Sequence, residues 1–362
     1  MSRQSELAEL GRVYATAPLS NRNLIINGAM QVAQRGTSET GVTSDGYRTC
    51  DRFRCAIGTL GTWTISQDTS APDDFSSSFK LLCTTADASP SANDYVVVQQ
   101  RIEAQSLQHL SFGTSSAKKL TLSFWVKSNK TGAASLEFIN FDNSDKSAYP
   151  SYTINAADTW EYKTVTVSGD TSGGPDNNNG AGLEIAFWLN GGSTFTGGSH
   201  TTSFGTFTNS NRNTSNLGVG GAVNDYWQIT GVQLEVGDTA TPFEHRSFGD
   251  ELARCQRYFC QSYPHGTVAG SASANTHLRK LANGENYDQI ANFEFPVEMR
   301  AAPTVTLYNP ANGTVNGFRG DSSNYTGAVS HPSTTRGVAI YRNATVTATV
   351  FTSIHATADA EL

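Results

Sequence analysis

The sequence predicts an all-β protein: a jelly-roll β-sandwich, a short connecting helix, and a smaller C-terminal β-domain. From Asn23 to about Arg246, alternating apolar and polar runs are separated by turn-forming clusters such as GTLGT, DTSGGPDNNNGAG and NGGSTFTGGSH. No helical periodicity interrupts that block, which argues against any α/β scheme. After one helical stretch, alternation returns in NFEFPVEMRAAPTVTLYNP, GVAIYRN and ATVTATVFTSIHAT.

Each segment follows from its pattern. In residues 1–22, Leu7, Leu10 and Tyr14 recur at helical steps between the N-cap candidate Ser5 and the stop at Pro18. A helix of about ten residues is marginal alone in water, so this segment reads as a docking tail ordered by a partner, or as a frayed terminus. In residues 23–247 the clearest strands are Leu120 to Lys127, Ser135 to Phe141, Trp160 to Val167, Leu183 to Asn190 and Tyr226 to Val236. Trp63 to Gln67, Phe79 to Cys83 and Tyr95 to Arg101 add three more. So many strands with long polar connections suit a two-sheet jelly roll. Residues 248–262 form the connector, with a helix expected over Phe248 to Cys260 and Leu252, Cys255 and Tyr258 or Phe259 on one face. Residues 263–362 form the second, smaller β-domain.

Composition narrows the function. Only 16% of the 362 residues are charged, 33 are glycine, and the formal charge is -7. A surface of hydroxyls and amides with no basic field disfavours nucleic acid. No apolar run reaches the roughly 18 residues of a membrane span, and Glu6 and Glu9 stand where a signal peptide would be apolar, so a soluble chain with no membrane insertion is expected. Five cysteines, without CxxC spacing, read as free thiols. Cys50 and Cys55 would bridge in an oxidising compartment but stay reduced in cytosol.

Two strands carry the sharpest functional signal. LTLSFWVK separates Leu120, Leu122, Phe124 and Val126 from Thr121, Ser123, Trp125 and Lys127; LEIAFWLN separates Leu183, Ile185, Phe187 and Leu189 from Glu184, Ala186, Trp188 and Asn190. If the aliphatic rows fill the space between the sheets, both indoles stand on the outer face of one sheet. A tryptophan flanked by Glu184, Asn190, Lys127 and serine suits a sugar ring, whose apolar face stacks on an aromatic while its hydroxyls take polar groups. The competing reading is that a loop or another subunit covers them. Trp160 and Tyr162 read as strand-start packing aromatics, and Trp63 and Trp227 as core.

Enzyme signals are thin. GxSxG, HExxH, Walker-type and GxGxxG elements are absent, and the seven histidines have no metal-ligand spacing. Asp73 with Asp74, and Asp142 with Asp145, read as turn formers. FDNSDKS offers Asp142, Asn143 and Asp145 as oxygen donors for a structural calcium ion; no other metal and no cofactor are expected. A glycosidase needs two carboxylates across a cleft, and Glu137, Glu161 and Glu184 show no evident pairing.

Several segments are similar to those of bacteriophage tail fibres and related virion surface proteins, especially of marine and cyanobacterial phages. They are NLIINGAMQVAQRGTS with YRTCDRF, ITGVQLEVGDTATPFEHRSFGDELARCQRYF, FPVEMRAAPTVT and HATADAEL. The resemblance implies a jelly roll similar to carbohydrate-binding modules, a homotrimer, attachment to other virion proteins through Leu7, Leu10 and Tyr14, and contact with host surface glycan. Long shafts and coiled coils are absent, so a short fibre or a virion decoration is implied. The expectation is a non-enzymatic, glycan-binding virion protein, with a purely structural tail, baseplate or capsid component as the alternative and a polysaccharide depolymerase behind it.

Overall fold

The computed structural model describes residues 21–273, 277–285, 287–320, 322–346 and 350–362. Leu7, Leu10 and Tyr14 lie outside the described residues. The chain divides into two compact units, one running to Gln31 and then over Ser38–Arg246, the other combining Val32–Thr37 with Ser247–Leu362.

The first unit is a two-sheet jelly-roll β-sandwich. Its strands are β1 (Ser38–Val42), β2 (Gly46–Tyr47), β3 (Arg54–Gly58), β4 (Thr62–Asp68), β5 (Ser78–Thr85), β6 (Tyr95–Glu103) and β7 (Leu120–Ser128). There follow β8 (Gly132–Asn140), β9 (Lys146–Tyr149), β10 (Ser151–Ile154), β11 (Glu161–Val167), β12 (Ala181–Gly191), β13 (Thr201–Gly205) and β14 (Tyr226–Val236). Sheet A has the order β1-β4-β5-β14-β7-β11; sheet B has the order β13-β9-β8-β12-β6-β3-β2, with β10 also on β8. The alternation sets what faces inward. Leu120, Leu122, Phe124 and Val126 of β7 share one core with Leu183, Ile185, Phe187 and Leu189 of β12. Phe124 meets Phe187 edge-on at 5.1 Å. Trp63 and Trp227 are fully buried, as expected, and their indole N–H groups donate to the Leu60 carbonyl and the Tyr152 hydroxyl.

In sheet A, β14 contains a bulge. The register with β7 slips between Thr230 and Gln233, and Gly231 takes φ +60°. A glycine inside a strand pattern is the sequence sign of such a bulge.

The second unit opens with α1 (Phe248–Gln256), capped where the Ser247 hydroxyl accepts the Asp250 N–H at 3.2 Å. The helix is shorter than the expected Phe248 to Cys260. The reason is that Phe259–Gln261 pairs as a strand with Thr357 to Asp359, which takes the backbone groups a longer helix would use. Phe351–Asp359 is the hub of this unit, pairing with Phe259–Gln261, Leu278–Leu281, Thr304–Tyr308 and Gly317–Gly320. A second sheet holds Gln289–Glu294, Gly337–Arg342 and Ala328–Ser330. Val32–Thr37 is fastened here by side chains: the Gln34 amide donates to the Phe259 carbonyl at 2.8 Å, and the Gln261 amide donates to the Gln34 carbonyl at 2.7 Å. Arg35 stacks over Phe259 at 3.7 Å and bridges Asp359 and Glu361.

Candidate functional site

Two clefts lie on the outer faces of the sandwich. Trp125 and Trp188 are in different ones, because β7 belongs to sheet A and β12 to sheet B. The expectation that both indoles share one sheet is therefore corrected.

The sheet-A cleft, of about 790 Å³, begins with β14. The outward row of this strand is polar, yet Gln233 and Glu235 are buried, since the chain after β14 folds back over them. Glu235 accepts the Thr241 N–H at 2.8 Å and its hydroxyl at 2.7 Å. Gln233 accepts the Glu244 N–H at 2.8 Å and donates to the Thr241 carbonyl at 3.2 Å. The returning segment is thus held by side-chain hydrogen bonds from the strand beneath it, and it brings Thr241, Pro242, Phe243 and His245 to the cleft. Glu244 points the other way, accepting the N–H groups of Arg22 and Asn23.

Two aromatic groups border this cleft. Phe75, Phe243 and His245 form a mutually packed triad with centroids 4.9 to 5.4 Å apart. Trp125 and Tyr162 stand opposite each other in the β7–β11 register, 5.4 Å apart, and Tyr162 is 45% exposed. Gly231 lies between the groups: a Cβ there would sit 2.7 Å from Phe75 Cζ and 3.1 Å from Trp125 Cδ1. Asp73 and Asp74 come from the turn that carries Phe75. A concave surface of this volume, with several rings and a few polar groups, falls within the roughly 300–1,000 Å³ of small-molecule sites.

The sheet-B cleft is smaller, about 290 Å³, and densely ion-paired. Trp188 is only 1% exposed, covered by Phe195 at 5.0 Å and by the Arg212 guanidinium at 4.7 Å. Its indole N–H donates to Glu137 at 2.9 Å, and Arg212 Nε donates to the same carboxylate at 3.0 Å. Burial pushes the Glu137 carboxyl above its usual range, against the pull of Arg212. Glu184 accepts from Arg101 at 2.7 Å and Gln99 at 2.8 Å, and Asp45 pairs with Arg54 at 2.6 Å.

The remaining candidates separate. Asn190 is buried, accepting the Gly191 N–H and the Asn216 amide and donating to the Val219 carbonyl. Lys127 is on the Trp125 face of β7 but lines neither cleft. The expected calcium donors have the following surroundings. Asp142 accepts the Asp176 N–H, the Asn143 amide donates to Asp170 and Ser172, and Asp145 lines the sheet-B cleft. Among the described residues no group of three His, Cys, Asp or Glu side chains could hold a metal ion. All five cysteines, Cys50 and Cys55 included, are free thiols.

Tyr162 belongs to the cleft rather than to strand-start packing. Phe75, Phe243 and His245 escaped the sequence reading because their segments are about 170 residues apart and only the fold joins them. Gly231 was the one local signal available.

No protein-family model matches the chain, and no curated protein matches it. Among solved structures it is similar to the enzymatically active domain of bacteriophage CBA120 tailspike protein 4, at 15% identity and TM-score 0.31, over 59% of this chain and 21% of that one. It is also similar to the C-terminal family 22 carbohydrate-binding module of Clostridium thermocellum Xyn10B, at 9% identity and TM-score 0.32, over 62% of this chain and 100% of the module. A third is TmCBM61 in complex with β-1,4-galactotriose, at 8% identity and TM-score 0.29, over 60% of this chain and 99% of that one.

Proposed function

We propose that this chain is a non-enzymatic bacteriophage virion surface protein, a short tail fibre of three copies that attaches to its host by binding surface glycan in the sheet-A cleft. The observation that carries the glycan reading is the Trp125–Tyr162 pair. It offers ring surface to solvent beside an open cleft, where the apolar face of a pyranose gains contact that a flat polar surface does not provide. The non-enzymatic reading is supported by the sheet-B carboxylates, since Glu137 and Glu184 are both held by arginines. The virion reading and the trimer rest on the sequence segments similar to those of tail fibres, with residues 1–22 as the docking tail.

A glycan array probed with the full chain, followed by calorimetry on the hits, tests the glycan reading. Trp125→Ala should weaken binding by about ten- to a hundredfold, the equivalent of roughly 1–3 kcal/mol. Absence of any glycan hit, or binding unchanged in Trp125→Ala, would remove this function from the cleft.

A further inference from the structure

We infer that the sheet-A cleft selects sugars bearing a positively charged amino group. This rests on the glycan reading above and names the chemistry of its ligand. Asp73 and Asp74 line the cleft, whereas no lysine or arginine does among the described residues. Both aspartates are exposed, and neither has a hydrogen bond or ion pair among the described residues. The contrast with sheet B is direct, because there Asp45, Glu137 and Glu184 each face an arginine. The sheet-A cleft therefore carries two carboxylates that no lysine or arginine in its lining balances.

The walls fit the same ligand. A cation within about 6 Å of an aromatic ring centroid is attracted by the negative face of the ring, and here rings stand on both sides of Gly231. A neutral sugar would use the rings and meet the carboxylates through hydroxyl hydrogen bonds alone, without a charge to match theirs; a uronate or sulfated sugar would be repelled by them. An ammonium group uses both. Opposite Trp125 in the register, Thr230 is fully buried and outside the lining of the cleft, and its hydroxyl has no partner among the described residues.

The test uses three hexasaccharides with the same β-1,4-linked glucopyranose backbone, bearing a hydroxyl, an acetamido or a free amino group at C2. Calorimetry on the full chain at about pH 6 presents the sugar amine mainly in its protonated form. The amino form should bind about tenfold more tightly than the hydroxyl form, and the double variant Asp73→Asn, Asp74→Asn should erase that margin, so that the two forms bind alike. Asparagine tolerates the left-handed backbone of Asp74, at φ +72°, so the variant keeps the turn. Amino-form binding that is absent, or no tighter than the hydroxyl form, overturns the inference. So does a preference that survives in the double variant, which would assign it to the net charge of -7. The glycan reading is decided separately: it stands if sugars bind and Trp125→Ala weakens that binding by about tenfold or more, whatever the C2 group.

Discussion

Trp188 and Glu137 form a buried hydrogen-bonded pair, indole N–H to carboxylate, with Arg212 closing over both. That relationship makes Trp188 a packing residue on the outer face of sheet B. Trp188→Ala should cost roughly 3–5 kcal/mol, as large aromatic truncations in cores do. Trp188→Phe, which keeps most of the ring but removes one donor to a buried acid, should cost less, about 1–3 kcal/mol. Chemical denaturation measures both, and glycan binding by the folded Trp188→Phe protein should match that of the parent.

Gly231 should tolerate no side chain. Gly231→Ala places a methyl against Phe75 and Trp125 at a positive φ, so stability should fall by roughly 1–2 kcal/mol and the cleft should narrow. Thermal unfolding checks the first effect. Loss of glycan binding in protein that is still folded checks the second.

Glu161 gives a pH signature. Burial pushes its carboxyl up, but hydrogen bonds from Lys163, Ala156 and Asn155 outweigh that and hold it at about 2, down from 4.5. A carboxylate lowered on folding stabilises the protein above its unfolded value, and this contribution is lost as pH falls from about 4.5 towards 2. Glu161→Gln should cost roughly 1–3 kcal/mol at neutral pH and flatten the acid limb of the stability curve. Denaturation at pH 7, 4 and 2.5 would read this directly; parallel curves for the two proteins would contradict it.

Assembly gives a further prediction. Light scattering on the purified chain should report about three times 38.7 kDa, and a monomer at micromolar concentration would count against the trimer. Deleting residues 1–20 should leave soluble, folded protein that no longer enters virions.

Legibility in the sequence followed range. Alternation over eight residues assigned the faces of LTLSFWVK and LEIAFWLN, since a strand reports its own period. What covers a face is decided elsewhere in the chain. Phe195 and Arg212 hide Trp188 from a connection beyond β12, and nothing in LEIAFWLN announces them. Trp125 has no such cover, so the same motif gave a buried tryptophan in one sheet and a half-buried one in the other. Asp73 and Asp74 do sit in a turn, as read, but what the turn faces depends on the Phe75 contact with Phe243. Cys260 left the expected helix for the same reason: its strand partner, Ala358, is 98 residues away.

The Gln34–Arg35 clasp bears on how the protein can be divided and how it is made. A single cut at Arg246 gives two fragments, each with a defect. The first keeps Val32–Thr37 with nothing to bind, and the second loses the guanidinium that joins Phe259, Asp359 and Glu361. During synthesis Arg35 leaves the ribosome 324 residues before Asp359, so the segment waits through almost the whole of translation for its partners. Supplying residues 21–37 as a separate peptide should therefore rescue a fragment that begins at Ser247.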